Sequence, residues 1–600
     1  MAAHLRPLTL VDGDWEAAPL VAAPVVAIFT LCFGLAVDED CFVTNHLTMN
    51  AAKQSAKGAG RGSVAATSGF RCYPAFVLLS RMSVLDFMLF RQSRSAPSLA
   101  FILFSLVSRL PFVARMPYGL DSIQYVLGVL HYDVRLHQPH PPGYFLFVMV
   151  GRLANLVFED PNRSFVTLNI VFSALCVWVV FELGEQLFGR ESGLVTAVLF
   201  ATSPTFWFHG EAALSNMLDC LLVSGLAFLC WRTLQGQHRL SYLVAAVLGL
   251  AGGVRQNTLA FMLPLFLFSI ARTGMRRIAL SIAVLLSVVA AWYFPMVHLS
   301  GGLTAYQTAL RDHWLNSNWH GLTLEWLPFN SICVGYFLLL GTGAGCLFLL
   351  VGLLFCLEAE GWRALARREG VQFFAVWLIP PLSFFILVYS HPIQTGHSLI
   401  YLPALLLLLP PAVSRTLDTL CRGWSQAVLQ RGAVMVAAAL TLSNLYVFLF
   451  MDTAVSRSAI RRYESEVRER TDQIRRSYPP EETILISLDF MFNGYREFMF
   501  HLPEYHTYLA KSYSLAGRQQ LFAGFQRQTQ LVDAIRVPPG VKQFVLNADQ
   551  FLRNPDLKLG KALDQYPPEN FVVTPSGFRL FRGSVQELPR MFPAIQVEIQ

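Results

Sequence analysis

Eleven apolar runs near membrane-spanning length constrain this chain more than any other feature. They lie near 98–114, 165–187, 192–208, 214–231, 241–254, 257–271, 278–298, 331–357, 372–390, 397–413 and 433–452. A helix needs about 20 apolar residues to cross the hydrocarbon core of a bilayer. The expected fold is therefore mainly α, a polytopic transmembrane helix bundle of about 11 spans. Composition agrees, with 54% hydrophobic and only 14% charged residues, too little charge to cover the surface of a soluble protein of this size. The formal charge of +7 is scattered over short loops rather than gathered on one face, which argues against a nucleic-acid partner. No cysteine follows Cys421, and neither a CxxC pair nor a Cys/His metal spacing occurs. Neither a disulfide framework nor a structural zinc site is indicated.

Loop charge sets the expected orientation. One set of loops carries Arg190, Arg232, Arg239, Arg272, Arg276, Arg277, Arg363, Arg367, Arg368, Arg415, Arg422 and Arg431, while the short loops opposite carry only Arg255 and Arg311. The positive-inside bias makes the arginine-rich set cytoplasmic. This alternation holds only if the apolar stretch 141–158 lies in the interface instead of crossing, so the first external loop, 116–164, is expected to contain interfacial helices. The segments 118–144, 208–219, 252–258, 300–320 and 390–397 then share the extracytoplasmic side with everything after about residue 455. The run 241–254 spans roughly 21 Å at about 1.5 Å per residue, short of the hydrocarbon core. The Gly252–Asn257 turn is thus expected to be sunk into a cavity open to the outside, with Arg255 in its wall.

The organisation changes twice along the chain. Residues 1–97 read as a poorly structured extension with an extra apolar helix at 18–37; the incoherence of residues 1–81 with the rest suggests a body that starts downstream, at Met82. Residues 98–455 form the transmembrane domain. Beyond it, "SRSAIRRYESEVRERTDQIRRSYPPEE" is a charged helix stopped by Pro479-Pro480. Strands are expected at "TILISL" and "VKQFVLN", with a hairpin around Pro575-Ser576-Gly577. Residues 456–600 are therefore expected to be a small soluble α/β domain outside the membrane.

Polar groups converge on the external side. Asp121 follows Pro117 and Gly119 at the start of "DSIQYVLGVL", where it either caps that helix or acts as a general base at a membrane-surface cavity. Tyr125, at i+4, shares its face. In "HQPHPPGY", His137 and His140 either bond the local backbone or face the cavity from a loop stiffened by prolines. Glu211, Ser215 and Asp219, at i, i+4 and i+8, are expected to make one polar stripe on a helix, either a helix–helix contact or a cavity wall. Arg255 is an ion-pair partner of one of these acids or a phosphate clamp. Gln256, Asn257 and His397 join it on the same side.

Taken in order, an acid in the first external loop, "HPPGY" about twenty residues on, "LFGRESGLVTAVLFATSPTFWFHGEAALSNMLD", "GGVRQN" and "WYFPMVHLSGGLTAY" resemble the C-type glycosyltransferase superfamily. The likeness is nearest to bacterial members related to protein O-mannosyltransferases and lipid A aminoarabinose transferases, and it covers about residues 98–450. It implies a hexosyl- or pentosyltransferase of the cell (inner) membrane that uses a polyprenyl-phosphate sugar and passes the sugar to a lipid, glycan or protein acceptor. By that resemblance Asp121 matches the catalytic acid and Arg255 a contact to the lipid phosphate. Several relatives have a second acid beside the first; here it is Ser122, and no divalent metal is indicated. A transporter or flippase of a lipid-linked saccharide is the alternative, although it would favour internal repeats and midplane binding, and no repeat is evident. A catalytically inactive scaffold is a third reading.

Overall fold

The structure is a computed structural model that describes residues 96–316, 324–488, 494–515, 518–548, 563 and 565–599. The apolar run at 18–37 and the rest of the extension to residue 81 lie outside these residues. The chain divides into two units, Met1–Pro97 and Ser98–Gln600; apart from the first two residues of the helix Ala96–Arg109, the elements described here belong to the second.

The fold is mainly helical, with a small sheet-containing part at the C-terminal end. Among the described residues six helices are long and apolar enough to cross a membrane: Pro161–Phe188, Asn216–Leu234, Met275–Leu299, Leu324–Thr342, Glu369–Leu387 and Gln426–Phe450. Shorter apolar helices include Ser241–Val254 and Gln256–Ile270. The chain is a multi-pass membrane protein. Leu286, Phe294, Leu442 and Tyr446 are exposed on two of the long helices, a pattern suited to lipid and costly in water. Between the helices, Phe181, Phe200, Met262, Trp377 and Leu406 form part of one buried core.

Proline within a helix removes a backbone donor, and in a bundle a neighbouring side chain can replace it. Pro410 leaves the carbonyl of Leu406 without its i+4 donor; Thr196 Oγ1 donates to that carbonyl at 3.4 Å.

Two expected runs each divide into two α-helices. The run 192–208 divides at Ser203, before Pro204, into Arg190–Thr202 and Pro204–His209. The run 331–357 becomes Leu327–Thr342 and Gly345–Glu360, separated at Gly343, whose φ of 58° suits glycine. Gly341, Gly345 and Gly352 pack in turn against Leu402, Leu409 and Ala412 of the helix Leu402–Leu420.

The first loop holds the helices Gly119–Leu130 and Phe145–Phe158. The second has 14 residues, about 21 Å and shorter than a bilayer core. One side of it, with Phe147 and Gly151, packs on Phe165. Leu153, Leu156 and Val157 on the other side remain exposed.

After the helix Arg457–Ser477, which ends before the Pro-Pro pair, a seven-stranded mixed sheet forms. Its strands are β1 (Thr483–Ser487), β2 (His506–Leu515), β3 (Arg518–Phe525), β4 (Gln528–Val532), β6 (Gln543–Asn547), β7 (Phe571–Val573) and β8 (Arg579–Ser584), and a separate pair joins β5 (Ala534–Val537) to β9 (Gln596–Ile599). The order is β4-β3-β2-β1-β6-β8-β7. Central β1 runs parallel to both neighbours and is buried along its length, which explains its continuous apolar sequence. Ile123, Tyr125 and Val134 of the first loop share one core with Tyr495, Met499 and Phe522 of this C-terminal part.

Candidate active site

Asp121 lies in the first turn of Gly119–Leu130 and is not its cap; Tyr118 holds that position, without a side-chain hydrogen bond. The capping reading of Asp121 is thereby overturned. Among the described residues its carboxylate accepts no hydrogen bond, and its nearest ionisable partner is His140, with Nδ1 3.9 Å from Oδ1. The side chain keeps 43% of its surface accessible, as at the wall of an open recess. Surrounding protein nevertheless penalises its charge, so burial raises its pKa above the ordinary 3.8, while Arg255 and His313 pull the other way.

The loop from His131 to Tyr144 is strapped into shape. Asp133 and Gln138 exchange backbone hydrogen bonds of 2.8 and 3.0 Å, and Tyr132 Oη donates to the Gly143 carbonyl at 2.7 Å. Gly143, at φ 116°, has no room for a side chain; a Cβ would stand 2.8 Å from Tyr132 Oη. This places His140 with Nε2 3.2 Å from Tyr144 Oη, while its Nδ1 has no hydrogen-bond partner. Burial and the charge of Arg255 lower the His140 pKa to about 3, and burial with His140 nearby lowers that of His313 to about 4. Both imidazoles are neutral near pH 7 and can accept or donate a hydrogen bond without carrying charge. His137 packs 5.7 Å from His313 and 6.0 Å from Phe522, centroid to centroid.

Tyr144 stands between this group and a second one. The Arg255 guanidinium carbon lies 5.9 Å from the centre of its ring, and Tyr125 meets it edge-on at 5.0 Å. Tyr125 also pairs its hydroxyl with Ser215 Oγ at 3.2 Å. Arg255 has extended backbone between Ser241–Val254 and Gln256–Ile270 and is buried. Its Nε approaches Asp219 Oδ2 at 3.8 Å. Among the described residues its guanidinium donates no hydrogen bond, so its planar fork is available to a ligand. Asp219 is held by Thr258 Oγ1 at 2.8 Å. Together with Asn257, Phe261, Phe385, Gly396, His397 and Ile400, Asp219 and Arg255 line a small pocket. His397 stacks on Phe385 at 5.2 Å and leaves Nδ1 unpartnered.

The structure thus gathers Asp121, Tyr125 and His140 on one side of Tyr144, and Asp219, Arg255, Asn257 and His397 on the other. His137 lies one residue-layer out, beside His313. Gln256 turns away to bind the Pro142 carbonyl at 3.1 Å and Tyr306 Oη at 3.2 Å, bracing the loop. The expected stripe of Glu211, Ser215 and Asp219 does not form. Residues 210–215 are turns, and the helix starts only at Asn216, so Glu211 does not share a helical face with Asp219. Glu211 is fully buried with both carboxylate oxygens unbonded, in the field of buried Arg109. Tyr144, Thr258 and His313 were not singled out from the sequence. All three fall within the expected external segments, and Tyr144 also closes "HPPGY". Among the described residues no group of three or more His, Cys, Asp or Glu side chains could hold a metal ion.

The fold and site define a membrane protein with a polar recess where its helix bundle meets an appended sheet. Residues 139–299 match the family described as dolichyl-phosphate-mannose-protein mannosyltransferase, and that match bears out the resemblance to C-type glycosyltransferases. The matched stretch includes His140, Glu211, Asp219, Arg255, Gln256 and Asn257 and begins after Asp121. None of the curated proteins matches the chain. Among solved structures, ArnT from Cupriavidus metallidurans bound to undecaprenyl phosphate is similar, with a TM-score of 0.49 at 13% identity, over 82% of this chain and 98% of that one. The apo oligosaccharyltransferase of Archaeoglobus fulgidus gives 0.45 at 13% identity, over 76% and 70%. Both scores fall below 0.5, where likeness of fold decides nothing.

Proposed function

We propose that this chain is an integral membrane glycosyltransferase that moves one sugar from a polyprenyl-phosphate donor to an acceptor hydroxyl on the extracytoplasmic face. The observation that carries the reading is a pair of charges that, among the described residues, have no hydrogen bonds, on either side of Tyr144: the Asp121 carboxylate and the Arg255 guanidinium. An anion with a raised pKa suits a general base, and a buried planar cation suits a leaving phosphate. The acceptor oxygen attacks the anomeric carbon and its proton passes to Asp121. The bond from that carbon to the phosphate oxygen breaks, and the polyprenyl phosphate leaves with the electron pair, held by Arg255 with His397 and Asn257 beside it. Neutral His140 hydrogen-bonds the acceptor or sugar without competing for the phosphate. The family matched over residues 139–299 is named for a dolichyl-phosphate sugar, which supports the donor class. The chain crosses the cell (inner) membrane about 11 times, with interfacial helices in the first loop, the arginine-rich loops inside and residues 456–600 outside as a small α/β domain; the distribution of basic residues supports this orientation.

Mass spectrometry of glycans, glycolipids and glycoproteins from a deletion strain tests the reading, coupled to turnover of polyprenyl-phosphate mannose by the purified protein. A species missing one sugar in the deletion strain is expected. An unchanged glycome, with no turnover of any polyprenyl-phosphate sugar, would sink it.

A further inference from the structure

The C-terminal part reaches into the loop that carries His140. Arg496, at the start of the helix Tyr495–His501, is 1% exposed. Its guanidinium donates through Nη2 to the Leu136 carbonyl and through Nη1 to Thr529 Oγ1, the latter at 2.7 Å. The same Thr529 oxygen accepts from Gln138 Nε2 at 2.8 Å, and Gln138 is itself buried. Phe522 of β3 stacks below the guanidinium at 5.9 Å and touches the edge of His137 at 6.0 Å. The Thr529 hydroxyl on β4 therefore holds residue 138 directly and braces Arg496, which holds residue 136, so the C-terminal part grips the loop two and four residues before His140. Buried polar groups joined this way fix one geometry, because slipping out of register strands each of them without a partner.

We infer that Arg496 and Thr529 are positioning residues for the transfer reaction: through Leu136 and Gln138 they hold His140 against Asp121, although neither reaches the recess. This rests on the proposed transferase reading. The link also explains why an appended part should share a continuous apolar core with the first loop. A rigid support for the loop keeps the reacting groups in register, and misplacement of about 1 Å costs on the order of 100-fold in rate.

The test uses the full-length protein in detergent or nanodiscs, with polyprenyl-phosphate mannose as donor. Thr529→Val removes the shared oxygen at constant volume, Gln138→Met removes only the reach from the loop, and Thr529→Ser restores the oxygen. Thr529→Val and Gln138→Met should each lower kcat about 10-fold or more with the donor KM within about 2-fold, as loss of orientation without loss of binding requires. Thr529→Ser should stay close to wild type, and the double variant should be no worse than Thr529→Val. Amide hydrogen exchange over residues 131–144 should rise in both Thr529→Val and Gln138→Met. Wild-type turnover and exchange in Thr529→Val would overturn the inference, as would additive losses in the double variant. Should the wild-type protein turn over no polyprenyl-phosphate sugar of any kind and the deletion strain's glycome stay unchanged while exchange responds as described, the transferase reading fails and the contact stands.

Discussion

The protein around Asp121 penalises its charge and raises its pKa, although the side chain keeps 43% of its surface open. The consequence is measurable. Asp121→Asn preserves size and removes the proton acceptor, so turnover should fall by about 10²–10⁴-fold while donor affinity stays. A near-silent Asp121→Asn in a steady-state assay would exclude the base. The sign of the pH dependence follows from the same shift. Activity needs the ionised form, so kcat/KM should fall as pH drops through a single ionisation above the 3.8 of an ordinary aspartate. His140 and His313, with pKa values held to about 3 and about 4, stay neutral across that limb. His140→Asn should therefore lower the rate without abolishing the limb, and disappearance of the limb in that variant would reassign it. Arg255→Lys retains the charge but loses the fork, so donor binding, measured by displacement of a labelled polyprenyl phosphate, should weaken more than the chemical step.

At the scale of elements, the loop 131–144 depends on close approaches that leave little tolerance. Gly143→Ala would place a methyl group against Tyr132 Oη and strain a backbone at φ 116°. Turnover should drop by about 10-fold or more while the protein still purifies as a folded monodisperse species by size exclusion. In the C-terminal part, Arg470 donates to Glu497 Oε1 through Nε and Nη2 at 3.0 and 2.6 Å, with both side chains buried. Arg470→Met leaves a buried acid without that cation, a change worth about 3–5 kcal/mol, and proteolysis of the C-terminal part should accelerate. The same elements show what the sequence disclosed. Ser241–Val254 was legible to the residue because its apolar run ends at Arg255, but the expected turn over Gly252–Asn257 shrinks to Arg255 alone, with Gly252 and Gly253 still helical. β1, β6 and the β7–β8 hairpin were legible from their apolar runs and turn residues, whereas β2, β3 and β4 mix polar and apolar residues without a clean period. The stripe through Glu211 failed because helical spacing was carried across "HGEAALS", where the backbone turns. Arg496 was hidden for another reason: its partners Leu136 and Thr529 are distant in sequence, and no spacing rule reports such a contact.

For the whole molecule, the loops 232–240, 272–277 and 358–370 should lie on one face of the membrane and the C-terminal sheet on the other. Cysteines introduced at these places, challenged with an impermeant reagent on intact cells, check the orientation: the sheet should label and the 358–370 loop should not. The Arg496 contact also has a thermodynamic corollary. Coupling between two sites is reciprocal, so any molecule that settles beside Asp121 and quietens the loop must stabilise the C-terminal sheet by the same free energy. Lipid-phosphate sugars that fit the recess can then be ranked without catalysis, by the heat needed to melt the C-terminal sheet.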